Sequence, residues 1–144
     1  MAIRFSYADK TLAYSKKKKL KQFLEVISSK EGYGIEELAY VFCSDDYLLD
    51  INRRFLQHDY FTDIITFDLR EDLKSKDLAG EIYISIDRVA DNAHSLNVSF
   101  EEELCRVVFH GLLHLCGYKD KRKPDVARMR AAEDRYLDLY KTAM

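Results

Sequence analysis

Apolar positions recur along this chain with two periods, and the switches between them predict its elements. Ile3, Phe5 and Tyr7 alternate with polar neighbours over residues 2–8 and predict a first strand. A helix is expected to open at Ser15, because Leu20, Phe23, Leu24 and Ile27 fall at i, i+3, i+4 and i+7. Gly32 and Gly34 mark a turn, and residues 37–43 read as a second strand with Leu38, Tyr40 and Phe42 on one face. Ser44 is a good N-cap, with Asp45 and Asp46 in the first turn of a helix running to about Gln57. Ile64, Ile65 and Phe67 predict a third strand, and residues 78–85 a fourth, expected at a sheet edge. Ser85 caps a helix through Val89, Ala90, Ala93 and Leu96. Ser99 and Glu102 form a capping box, each side chain expected to satisfy the other's backbone N–H. The helix they open carries Leu104, Val107, Val108 and Leu112, and is apolar almost all round, which predicts burial. Pro124 suits the first turn of a last helix, with Val126, Met129, Tyr136, Leu137 and Tyr140 facing the core.

The order is therefore βαβαββααα, an α+β fold. The first two strands are joined through a helix and the two middle ones by a short connection, so a mixed, mostly four-stranded sheet with helices packed around it is expected. Residues 1–144 read as a single domain, with no repeat, low-complexity tract or linker.

Composition narrows the classes. At 47% apolar and 33% charged residues the chain is an ordinary globule rather than a disordered segment. No apolar run approaches about 18 residues, so no membrane span is expected. Three scattered cysteines do not make a disulfide framework, and the first residues lack a signal-peptide core; a reduced, cytoplasmic protein is expected. A net charge of −2 predicts no partner, so any nucleic-acid surface must come from local asymmetry. Two basic stretches stand out. Lys16 to Lys19 crowd a helix start, either as a solvated face or as a phosphate patch. Lys119, Lys121, Arg122, Lys123, Arg128 and Arg130 gather against only Asp120 and Asp125.

The chemistry concentrates in His110-Gly111-Leu112-Leu113-His114-Leu115-Cys116-Gly117-Tyr118-Lys119-Asp120. Two histidines four residues apart lie on one helix face. Gly117 then permits a turn that returns Asp120 towards them. Two neutral imidazoles and a carboxylate form a ligand set for one zinc ion per chain, on a helix and the turn after it. A zinc peptidase would carry a glutamate base beside the first histidine, but Gly111 stands there. Asp63, at the mouth of a strand, is either a catalytic or positioning carboxylate or a loop residue capping backbone N–H groups. His94 reads as an ordinary residue near a helix C-terminus.

The eleven-residue motif resembles the signature H-G-x-L-H-L-x-G-Y-D-H of the YbeY family of metal-dependent endoribonucleases. Residues 62–67 are similar to the family's P-T-D-V-L-S-F segment and residues 80–85 to its G-D-I-x-I-S strand. Ile51-Asn52 followed by Asp59 matches its L-N-x-x-Y-R-x-x-D block in part. The resemblance implies a zinc site at His110, His114 and Asp120 and metal-activated water attacking single-stranded RNA. It further implies maturation of the small-subunit ribosomal RNA 3′ end, ribosome biogenesis, and contact with the small ribosomal subunit, with no nucleotide cofactor. The chain departs from the pattern in three places: Lys119-Asp120 replaces Asp-His, Leu56 stands at the family arginine, and Phe61 stands at the proline. Arg53, Arg54 and His58 are nearby candidates for the arginine's role. Two other readings stand beside this one: a non-catalytic RNA-binding or ribosome-assembly module with a structural metal, and a zinc peptidase or amidohydrolase.

Overall fold

The computed structural model describes residues 2–143. Nine elements follow the expected order: β1 (Ile3–Tyr7), α1 (Lys17–Lys30), β2 (Gly34–Cys43), α2 (Asp45–Leu56), β3 (Ile64–Asp68), β4 (Asp77–Ser85), α3 (Ile86–Leu96), α4 (Phe100–Leu115) and α5 (Lys123–Ala143). The strands make one mixed sheet in the order β1-β2-β4-β3. The β1–β2 and β2–β4 pairs are parallel, as a helical crossover requires, and β3–β4 is antiparallel across its short connection.

Four expectations are corrected. β4 is interior, between β2 and β3, because β3 adds to its outer side rather than lying between it and β2. α1 starts two residues after Ser15, with Lys16 at the cap position and no side-chain cap; Tyr14, buried against Tyr140, holds the preceding turn in place. The capping box closes only halfway: Ser99 Oγ accepts from Glu102 N, but the Glu102 carboxylate takes Lys141 instead. Val126 is exposed rather than packed in the core.

One face of the sheet carries the main core. Leu38, Tyr40 and Phe42 of β2 and Ile82 and Ile84 of β4 meet Phe23 and Ile27 of α1 and Val108, Phe109 and Leu112 of α4. On the other face, α2 covers a small cluster of Cys43, Leu48, Ile51 and Ile65. α4 is the central post of the main core. Leu104, Val108, Phe109, Leu112 and Leu113 are fully buried along it, and each such side chain contributes about 1.5–3 kcal/mol relative to exposure. Packing, more than helix propensity, fixes this helix. Gly111 lets it lie close on the sheet, since a Cβ there would come within 2.9 Å of Ile82 and 3.0 Å of Ile64. The position that holds a glutamate in zinc peptidases is here pressed against strands and has no room for a base.

The lysines at the start of α1 are largely engaged: Lys16 pairs with Glu101, Lys17 lies over the Tyr7 ring and Lys19 over the Tyr140 ring. Among the described residues, no helix is long and apolar enough to cross a membrane.

Candidate metal centre

α4 buries most of its surface and leaves one stripe for polar work. His110 and His114 occupy its last turns, and the helix ends in a Schellman motif. Tyr118 N–H bonds to Leu113 O and Gly117 N–H to His114 O, with Gly117 at φ +102°. This left-handed residue reverses the chain and returns Asp120 to the two rings. His110 Nε2 lies 3.2 Å from Asp120 Oδ2, and His114 Nε2 lies 3.8 Å from Asp120 Oδ1.

The far nitrogens decide the ring chemistry. His114 Nδ1 is 2.9 Å from the Tyr118 carbonyl. A carbonyl only accepts, so the proton sits on Nδ1 and a neutral ring offers its Nε2 lone pair to the centre. His110 Nδ1 is 2.7 Å from Glu133 Oε2, which sets the same orientation. Partners of this kind orient and strengthen metal-bound imidazoles. Glu133, only 5% exposed, also takes Arg106 at 3.0 Å and Arg130 at 3.5 Å. Burial disfavours the His110 cation, but the bond to Glu133 and the charges of Glu133, Asp120 and Asp63 outweigh it, so the pKa stands above the ordinary histidine value. Two nitrogen lone pairs facing one carboxylate call for a cation between them.

Among the described residues, no group of three His, Cys, Asp or Glu side chains already stands in a metal-holding arrangement. The rings and the carboxylate touch each other instead. Ligands about 2.0–2.1 Å from a tetrahedral zinc lie about 3.3 Å apart; the His110–Asp120 separation of 3.2 Å is close to that, and the His114–Asp120 separation of 3.8 Å is wider. The donor set, the lone-pair directions and the two outer hydrogen bonds fit a zinc ion.

The sequence-predicted residues fall together. His110, His114 and Asp120 form the corner, and Asp63 shares both adjoining pockets with His110 and Asp120. Asp63 accepts a hydrogen bond from Asn92 at 3.4 Å, and its backbone carbonyl accepts from Ser85 N. Burial pushes its carboxyl above the ordinary range, against the opposing effect of His110.

One pocket, of about 390 Å³, opens between α3, α4 and α5. The other, of about 350 Å³, opens beneath α2 and the segment after it, with Asn52, Leu56, His58, Tyr60 and Thr62 in its wall. Of the three candidates near Leu56, Arg53 pairs with Asp59 and Arg54 with Asp50, and only His58 lines this pocket. Lys119, Lys121, Arg122 and Lys123 are exposed beside the corner, without an ion pair among the described residues.

Residue spacing did not flag Glu133, Glu103, Arg106 or Asn92. A signal existed for the two glutamates. Glu133 sits at i+4 from Met129 and i−3 from Tyr136, in the middle of a buried apolar stripe, and Glu103 lies seven residues before His110 on the same helix face.

The family model for Endoribonuclease YbeY matches residues 4–141. A Cytophaga hutchinsonii protein of that name is 55% identical over 122 residues, covering 85% of this chain and 84% of the relative. A Bacteroides fragilis protein of the same name is 40% identical over 141 residues, covering 98% and 99%. A solution structure of a Thermotoga maritima protein superposes with a TM-score of 0.70 at 32% identity, covering 96% of this chain and 88% of that one.

Proposed function

The chain belongs to the YbeY endoribonuclease family, and from that premise we propose that it cuts single-stranded RNA at the corner of His110, His114 and Asp120, using one zinc ion. The protein is an enzyme acting on RNA. The observation that supports this centre is the paired orientation of the rings: both Nδ1 atoms are held by acceptors, and both Nε2 atoms face the Asp120 carboxylate.

A zinc ion held by these three side chains would acidify a water molecule and polarise a phosphoryl oxygen. The chain's own residues supply the surroundings. Glu133 and the Tyr118 carbonyl keep the imidazoles in the ligating tautomer. Asp63, half-buried in the wall of both pockets beside the corner, has its carboxyl held above the ordinary range by burial, which would suit a group that holds or passes a proton. The exposed Lys119, Lys121, Arg122 and Lys123 favour a polyanion over a peptide beside the centre, and Gly111 offers no peptidase base. The proposed setting is the cytoplasm, and the proposed substrate is ribosomal RNA during maturation of the small-subunit 3′ end.

The replacement of a histidine by Asp120 makes the set harder, with an oxygen for a nitrogen, and raises its tolerance for metals other than zinc. The test is metal content by mass spectrometry together with RNA cleavage, on wild type and His114→Ala. About one zinc per wild-type chain is expected. The variant should lose both the metal and the cleavage while keeping its circular dichroism. Cleavage retained by a metal-free variant would overturn the reading.

A further inference from the structure

The larger pocket contains a carboxylate that nothing in the protein uses. Glu103 is 5% exposed, yet among the described residues its side chain has no hydrogen bond or ion pair. Its neighbours are committed elsewhere: Arg106 to Glu133 and Asp134, and Arg130 to Glu133. Nor do its oxygens belong to the sealed polar atoms that lack a partner; they meet the open space of the pocket. A buried carboxylate without donors is costly, and such groups in native proteins call for an explanation.

The walls indicate what fills the space. Val107 and Met129 are buried, and Leu96 and Val126 stand at the mouth, 53% and 47% exposed. A volume of about 390 Å³ lies in the range of small-molecule sites, about 300–1,000 Å³. Arg106 and Arg130, their guanidinium groups paired with Glu133 and Asp134, also line it. Their positive charge disfavours a bare cation in the space. Glu103 lies seven residues before His110 on α4, about 10 Å along the axis. That is comparable with the reach from a nucleotide's phosphate to the far edge of a purine.

We propose that this pocket is a nucleobase subsite next to the cleavage centre and that Glu103 makes it prefer guanine. The proposal rests on the RNA-cleaving reading of the corner. Single-stranded RNA presents unstacked bases to be read on their Watson–Crick edges. Guanine alone carries two adjacent donors there, N1–H and N2–H, to match both oxygens of a carboxylate. Adenine and cytosine each set an acceptor beside a single amino group, and uracil flanks one N–H with two carbonyls, so each brings an oxygen or nitrogen lone pair against Glu103. Asn92, beside Asp63, supplies a further polar group on the α3 wall.

The experiment is a titration of the as-purified full chain with GMP, AMP, CMP and UMP, followed by NMR. It is paired with cleavage of single-stranded RNAs that differ at one position. GMP is expected to bind at least about tenfold tighter than the other three, the scale of a good bidentate base contact, and to shift the Met129 methyl. Glu103→Gln, which presents an amide donor to a donor edge, should erase that ratio. Leu96→Ser, at the exposed mouth, should weaken all four nucleotides alike and keep it. Equal binding of the four, or an unchanged ratio in folded Glu103→Gln, overturns the proposal. So does Mn²⁺ broadening centred on Glu103 without any response to GMP, which would make the pocket a cation site. A guanine preference in binding, with no RNA cut by the wild type, upholds the subsite and instead removes the cleaving role of the corner.

Discussion

Two acidic neighbourhoods of the molecule treat their carboxylates in opposite ways. In the first, Asp9 accepts from Ser44 N and Oγ, Asp87 accepts from Asp45 N and Lys10, and Asp45 accepts from Ser85 Oγ and Arg88. The bonds from Ser44 hold Asp9 below the ordinary carboxylate range, and the bond from Lys10 does the same for Asp87. In the second, Asp63 has one long bond from Asn92 and Glu103 has none, and burial pushes both upward. Donor supply, rather than the number of charges, separates them. The first group ties the starts of α2 and α3 to the loop after β1 and is structural. The second keeps its acceptors unspent, as a site awaiting a ligand must.

The comparison can be broken by removing one member at a time. The largest effect is expected for Glu133→Gln, which weakens the outer bond to His110. Zinc affinity, measured by competition with a chromophoric chelator, should fall about 10–100-fold. An unchanged affinity would mean that the ring needs no carboxylate to orient it. Next comes Ser44→Ala, which removes the cap on Tyr47 N and a donor to Asp9. Urea unfolding should report a loss of about 1–2 kcal/mol, with zinc uptake unaltered; a change in uptake would join the two neighbourhoods. Glu103→Leu should act in the opposite sense and raise stability by up to about 1 kcal/mol, since it relieves an uncompensated buried charge.

The smallest effect is a difference in pH response of the metal-free protein. Asp63, Glu103 and His110 have folded pKa values raised above the unfolded ones. Their contribution is complete below the unfolded values and is lost as pH rises through the folded ones. Asp9 and Asp87 are lowered. Their contribution is present above the unfolded value and is lost as pH falls through the folded one. Stability should therefore rise slightly from neutrality towards about pH 4 and then decline, and Glu103→Gln should flatten the rise. A monotonic decline from pH 7 in wild type would contradict this assignment.

Zinc uptake itself should weaken over the same acid range, because protons compete for His110 and His114. His110, whose raised pKa adds to the same rise, acts on both curves; the carboxylate part is isolated by Glu103→Gln, which should flatten the stability rise and leave the uptake curve unchanged.

Much of the molecule was readable from residue order. The element sequence followed from the two apolar periods, and the caps at Ser44, Ser85 and Ser99 were visible because a hydroxyl before an apolar helix has a local geometric task. The corner was readable for the same reason: i, i+4 spacing, a left-handed glycine and a carboxylate three residues later involve only short-range geometry. Lys16 displaced Ser15 as a cap because Tyr14 is anchored by α5, a contact 126 residues away. The place of β4 inside the sheet depended on which side of it β3 would join, which local pattern does not encode.

By itself, then, the sequence determined what is local: the helix that carries both imidazoles, the turn that returns Asp120, and the periods that set the core. Tertiary structure alone decided what depends on distant segments meeting. It brought Glu133 of α5 to His110 of α4, pressed Gly111 onto Ile82, engaged the lysines of α1 with Glu101 and aromatic rings, and left Glu103 facing a pocket without a donor. Hydrogen bonds and packing act over a few ångströms, so residues adjacent in sequence declare their partners, and those separated by many residues acquire theirs only when the helices close on the sheet.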